Sequence, residues 1–222
     1  MKTRHTLRAA IVVATASLTL AGCQEEDEVV QEDDLVDTLI HANNPHEDWS
    51  DIDGWQLLSR WDLDPSCGDT SRCGLIAIDT ADNQHVWQAL DAIEASMGMA
   101  MFVRDDPSYA PEDLGRGMVV SEGTANHTWT HIDGCGEVSD DQYDSDGRMN
   151  GVTIVRLGNE SCPSPSYGVV LHEFGHALGL YNHVEGFGYG AAIGSNAWNL
   201  LYTLYHNPVG ASRDEIQPIR IR

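Results

Sequence analysis

The sequence predicts a single α+β domain. Short apolar or β-branched runs surround two segments of helical periodicity, and 41% of the 222 residues are hydrophobic, enough for one packed core. The charge is lopsided: 12 Lys+Arg face 35 Asp+Glu, for a net charge of −23. Binding a polyphosphate needs a basic face that releases counterions, so nucleic acid is not an expected partner. Lys2 is the only lysine, and chemistry that needs a lysine amine is excluded once Lys2 is removed.

Residues 1–22 have the layout of an export signal. Lys2, Arg4 and Arg8 precede an apolar stretch from Ala9 to Leu20, too short for a comfortable bilayer span, and small residues follow. Leu20-Ala21-Gly22-Cys23 resembles the lipobox of bacterial lipoproteins. That resemblance implies that Cys23 is lipidated and begins the mature chain, with Gln24 beside it favouring the outer membrane or cell surface. Removing the signal leaves no lysine and a more negative chain. Glu25 to Asp37 is dense in acids, so residues 23–48 read as a solvated tether and 49–222 as the domain. Four cysteines remain, Cys67, Cys73, Cys135 and Cys162. An even number in an exported chain favours two disulfides, and proximity in sequence favours Cys67–Cys73 and Cys135–Cys162 among three connectivities.

Within the domain, Trp55 to Trp61 and Gly74 to Asp79 read as strands, the second carrying the apolar run Leu75-Ile76-Ala77-Ile78. Asp82 can cap a helix with Val86, Leu90, Ile93 and Met97 on one stripe. Met99 to Arg104 and Gly117 to Ser121 read as strands. Asp133 to Asn150, rich in Asp and Gly, reads as a long loop. Val152 to Leu157 is β-branched and apolar, hence a strand, and Cys162 to Ser166 is a loop with two prolines. Tyr167 to Leu180 reads as helix, and a short closing helix can start at Ser212.

The second helix carries the chemistry. His172 and His176 are four apart, so their imidazoles leave one helix face and can share a metal ion, zinc being well suited to neutral imidazole nitrogen. Glu173 directly follows the first histidine, placed to act as general base on a zinc-bound water. A chain of this composition would contain H-E-x-x-H by chance about once in forty. Two features of the surroundings reduce that risk. Leu171, Phe174 and Leu178 supply the apolar face of a buried helix, and Gly179 can take a positive φ that turns the chain back toward the metal.

His172-Glu173-Phe174-Gly175-His176-Ala177-Leu178-Gly179-Leu180 resembles the active-site helix of the metzincin zinc metalloendopeptidases, the matrixin branch in particular. The family pattern is H-E-x-x-H-x-x-G-x-x-H. At its last position this chain has Asn182, and His183 follows one residue later. Either a one-residue insertion lets His183 complete a three-histidine site, or Asn182 offers an amide oxygen. Trp198 to Tyr202, Pro208 and Ser212 to Ile219 resemble the segment from the matrixin Met-turn to the last helix, with Leu201 where the family has a methionine beneath the zinc. Tyr202, beside that turn, is a candidate oxyanion stabiliser or a packing residue.

The resemblance implies a metzincin-like fold: a twisted mixed sheet with two main helices, the active-site helix among them, and a small C-terminal subdomain. It implies one catalytic zinc on His172, His176 and a third ligand, for which His183 is favoured over Asn182 because zinc prefers nitrogen to an uncharged amide oxygen, with Glu173 as the catalytic residue and hydrolysis of extracytoplasmic peptides or proteins. The peptide would lie along an edge strand just before the active-site helix, for which Val152 to Leu157 is the candidate. The alternative is a catalytically degenerate metzincin scaffold acting as a surface binding or structural module, supported by the displaced third ligand and the missing methionine. Three further signals are weaker. His127 and His131 could share a second zinc. Asp140, Asp141, Asp144 and Asp146 with Gly147 suggest a Ca2+ loop outside the EF-hand register. The segments around Cys67 and Cys73 each echo the zinc-blocking cysteine of matrixin proenzymes.

Overall fold

The computed structural model describes residues 32–45, 57–63, 75–79, 83–104, 116–122, 135–139, 142–158, 160, 162–189 and 193–221. Cys23, Cys67, Cys73, His127, His131, Asp140 and Asp141 lie outside the described residues, as do the signal segment and Asp82. The described chain is mixed α+β, with four helices and an open sheet built mainly of parallel strands.

The sheet is organised by one long strand, β7 (Arg148–Leu157). Its side chains alternate: Met149, Thr153, Val155 and Leu157 are buried, whereas Val152, Ile154 and Arg156 are half-buried. That period of two gives the strand one face toward the core. β7 pairs in parallel with β1 (Arg60–Trp61) and with β4 (Arg116–Glu122). β4 in turn pairs with β2 (Leu75–Asp79), and β2 with β3 (Phe102–Arg104). Along the opposite side of β7 run two short antiparallel strands, β5 (Gly136–Ser139) and β6 (Gln142–Tyr143).

These two strands correct the expected loop from Asp133 to Asn150. Turn-forming acids and glycine hide a hairpin there: Asp144 to Gly147 closes β6 onto β7, with the Asp144 carboxylate accepting from the backbone of Asp146 at 3.0 Å and Arg148 at 2.9 Å. The edge assignment changes with them. Val152 to Leu157 is not an edge, since β4 covers one side of it and β5 pairs with Ile154 to Leu157 on the other. Among the described residues the open edge beside the helices is β5.

The helices are α1 (Glu32–Ala42), α2 (His85–Met97), α3 (Tyr167–Ala177) and α4 (Ser195–His206). α2 buries Val86, Ala89, Leu90, Ile93 and Met97 and packs against α3, which lies across β5 and β7. Two expected elements are shorter than predicted. Within the described part of the expected Trp55 to Trp61 strand, only Arg60–Trp61 is strand, with Leu57 bridged to Ser212, and the closing helix is one 3-10 turn, Arg213–Glu215. Cys135 and Cys162 form the expected disulfide, which ties the start of β5 to the loop before α3.

The largest departure concerns the acidic segment. From Glu32 the chain is no tether but helix α1, whose Leu35, Leu39 and Ala42 are buried in the core beside α4. Spacings of four and three put these side chains on one stripe, and Asp34 and Asp37 are exposed on the outer face. Leu39→Ala is therefore expected to destabilise the domain by about 2–5 kcal/mol. Chemical denaturation measures this, and an unchanged midpoint would mean that α1 does not belong to the core.

Candidate metal centre

Helix α3 begins at an extended Ser166, whose hydroxyl accepts from the backbone N–H of Val169. It ends on a run of carbonyls that each find a different partner. Phe174 and His176 accept from the backbone of Leu178 and Gly179, and Gly175 accepts from Leu180. The indole of Trp61 donates to Ala177, the Tyr205 hydroxyl to Leu178, and the Asn43 amide to Gly179. Gly179 has φ +107°, and a Cβ there would lie 2.7 Å from the Ser59 carbonyl oxygen, so both conformation and space require glycine. The turn sends the chain back across the face that carries the histidines.

Three imidazoles meet as a result. Nε2 of His172 lies 3.1 Å from that of His183 and 3.1 Å from that of His176, and the His176 to His183 separation is 3.2 Å. Among the described residues this is the group of His, Cys, Asp or Glu gathered closely enough for a metal ion. Tetrahedral zinc with bonds of about 2.0–2.1 Å sets its nitrogen ligands about 3.3–3.4 Å apart, so the triangle fits such an ion with little adjustment. The Leu180 carbonyl accepts from Nδ1 of His176 at 2.5 Å, which assigns the proton to Nδ1 and leaves the Nε2 lone pair facing the centre.

The choice between His183 and Asn182 falls to His183. The Asn182 amide points away from the triangle and donates to the carbonyls of His41 at 2.9 Å and Asn44 at 2.8 Å. The residue by which this loop exceeds the H-E-x-x-H-x-x-G-x-x-H spacing is thus accommodated by Asn182 bonding to the end of α1.

Phe187 is a site residue that the sequence reading missed. Its buried ring stacks on His172 at 4.5 Å and meets His176 edge-on at 4.9 Å and His183 at 5.9 Å, forming an apolar floor for the cluster. The contact depends on Gly175, since a Cβ there would lie 2.6 Å from the Phe187 ring. The signal was one of two aromatics, Phe187 and Tyr189, that alternate with glycines in the run from Gly186. Leu201 is buried in α4, and the ring of Tyr202 stacks on His206 at 3.8 Å. Asp144 and Asp146 serve the hairpin turn, with Asp146 paired to Arg148.

Glu173 is buried beside this cluster. Burial, with the Glu137 carboxylate adding to it, pushes its pKa up to about 8. Burial and the neighbouring imidazoles push His176 down to about 3, and burial lowers His183 as well. His176 is therefore a neutral donor at ordinary pH and His183 is biased the same way, as metal ligation requires. Gly136 of β5 lies directly against Glu173, leaving no room for a Cβ between them. The open strand edge and the carboxylate are thus neighbours.

Two predictions follow from the geometry and the charges. Gly175→Ala is expected to displace Phe187 and cost about 1–3 kcal/mol, measured by denaturation. In the metal-free protein, His176 titrates near 3 folded against 6.5 unfolded, so the unfolded chain binds more protons in that interval and stability rises with pH. Glu173 titrates at about 8 folded against 4.5 unfolded, so the folded chain holds the extra proton and stability falls across that interval. Metal-free stability is expected to be greatest from about pH 4.5 to 6.5 and to decline on both sides. A flat profile between pH 6.5 and 9 would contradict the buried Glu173. Comparison with known proteins returns no match to a family model, to a curated protein or to a solved structure.

Proposed function

We propose that the protein is a zinc-dependent endopeptidase of metzincin, matrixin-like type, exported and lipid-anchored at Cys23. The observation that carries this reading is the triangle of His172, His176 and His183 with the buried Glu173 on the same helix and an open strand edge against it. The mixed sheet with its antiparallel edge strand supports the fold part of the reading. A disulfide at Cys135–Cys162 supports an oxidising compartment.

His172, His176 and His183 would hold the ion through Nε2. Zinc, when bound, supplies a Lewis acid that polarises the scissile carbonyl and acidifies water. Glu173 takes the proton from the attacking water and passes it to the leaving amine. Without a nearby cation, burial keeps Glu173 protonated near neutral pH, whereas a base must be ionised. The positive charge that the histidines are arranged to hold is therefore also what Glu173 needs. A peptide pairing with β5 would run past Glu173, because Gly136 lies against that side chain. Phe187 and Gly175 keep the imidazoles in place from below.

The test measures zinc content and cleavage of an unfolded protein by the purified mature chain. About one zinc per chain, loss of cleavage on chelation and its return with zinc are expected. Glu173→Gln should keep the zinc and lower kcat by about 10²–10⁴-fold. A variant with full activity would exclude Glu173 as the base. Stoichiometric zinc without hydrolysis of any peptide would favour the binding module instead.

A further inference from the structure

We propose that helix α1 is a clasp that sets the third metal ligand, with Asn43 and Asn182 as its positioning residues. The inference rests on the metal reading above and adds an element that the H-E-x-x-H motif does not contain.

The contacts are dense and specific. The last turn of a helix leaves carbonyls without intrahelical partners. In α1 these are met by the very loop that delivers His183: the Asn182 backbone N–H donates to Ala42 at 3.0 Å, and its side-chain amide donates to His41 and Asn44. Reciprocally, the Asn43 amide donates to the carbonyls of Gly179 at 2.6 Å and Ser59 at 2.7 Å, and its oxygen accepts from the backbone of Ser59 at 2.7 Å. Asn43 and Asn44 are almost wholly buried. Four hydrogen bonds thus fix both ends of the segment from Gly179 to Asn182, two more hold Asn43 itself on Ser59, and His183 is the next residue.

The alternative paths for that loop are poor. If α1 undocks, the carbonyl of Gly179 and the side chain of Asn182 lose their partners together, and the loop keeps only its bonds from Gly179 and Leu180 to the end of α3. Asn182, the residue directly before His183, would then be released, leaving the third imidazole less firmly placed, and two histidines bind a metal far less tightly than three. Groups that orient a ligand in this way commonly contribute 10–100-fold in metal affinity.

Isosteric variants test the clasp. Asn182→Asp and Asn43→Asp keep the side-chain shape but remove the amide donors, and an aspartate at 182 would face carbonyl oxygens. Met118→Ala, in the core of β4, serves as a variant of lowered stability remote from the loop. Cobalt(II) and zinc affinities are measured by competition with a chelator, together with the visible spectrum of the cobalt-loaded chain and far-UV circular dichroism. Both asparagine variants are expected to bind cobalt and zinc about 10–100-fold more weakly and to alter the cobalt spectrum, while Met118→Ala leaves both unchanged in the folded chain. Should Asn43→Asp fail to fold, Asn182→Asp alone decides. Wild-type binding with asparagine variants within twofold of it overturns the clasp but leaves the metal reading intact. A wild-type chain that binds neither metal overturns both.

Discussion

The histidine triangle depends on how the backbone carbonyls at the end of α3 are satisfied. A buried helix terminus cannot leave them to water, so each must find a donor within the fold. The donors for Ala177, Leu178 and Gly179 are side chains of Trp61, Tyr205 and Asn43, from β1, α4 and the end of α1. The Leu180 carbonyl takes its proton from His176 itself. One bookkeeping requirement therefore gathers elements from both ends of the chain around a single turn, and that turn aims His183. The histidine triangle is less a local motif than the point where these partners agree.

The same arrangement explains an otherwise costly set of burials. A carboxylic acid and three imidazoles are drawn together beneath a strand edge, where their charged forms are disfavoured by lost hydration. In the metal-free chain burial favours the neutral forms, with Glu173 protonated and His176 deprotonated. The three Nε2 atoms then face one another at 3.1–3.2 Å, that of His176 presenting a lone pair because its proton sits on Nδ1. A cation answers both needs, supplying the ring nitrogens with an acceptor and Glu173 with a counter-charge. Phe187 adds an apolar floor that keeps water from satisfying them from below.

Much of this was legible where the physics is local. The spacing of His172, Glu173 and His176 follows from helical period alone, and the breaking role of Gly179 from its freedom in φ. His183 could be favoured over Asn182 from zinc's preference for nitrogen, but what turns Asn182 away was not legible, because it is His41, Ala42 and Asn44, some 140 positions away in sequence. α1 was misread for a different reason. Its acids dominate the composition, and the stripe of Leu35, Leu39 and Ala42 has meaning only once a core exists to receive it. β5 escaped because Gly136 and its acidic neighbours favour turns, while the strand is held by pairing to β7 and by the disulfide at Cys135. The order of the sheet was similarly hidden: the apolar run after Val152 looked like an edge, but an edge is a property of the neighbours.

Recognising α1 as part of the domain also changes the meaning of the proposed lipid anchor. With the domain starting near Glu32 rather than Trp49, only the residues between Cys23 and Glu32 would separate it from the lipid. A chain of nine steps spans at most about 30 Å when fully extended. An anchored domain on such a lead would work close to the membrane surface. The acidic residues before α1 would then act less as a spacer than as a repulsion that orients the domain, since anionic headgroups push them outward while the short lead prevents escape. The clasp sits directly after that lead, so any pull on the amino terminus is transmitted first to α1. Under the proposed anchoring, the element next to the lead is the one whose carbonyls hold the loop ending at His183, so anchoring and metal binding would share one structural support.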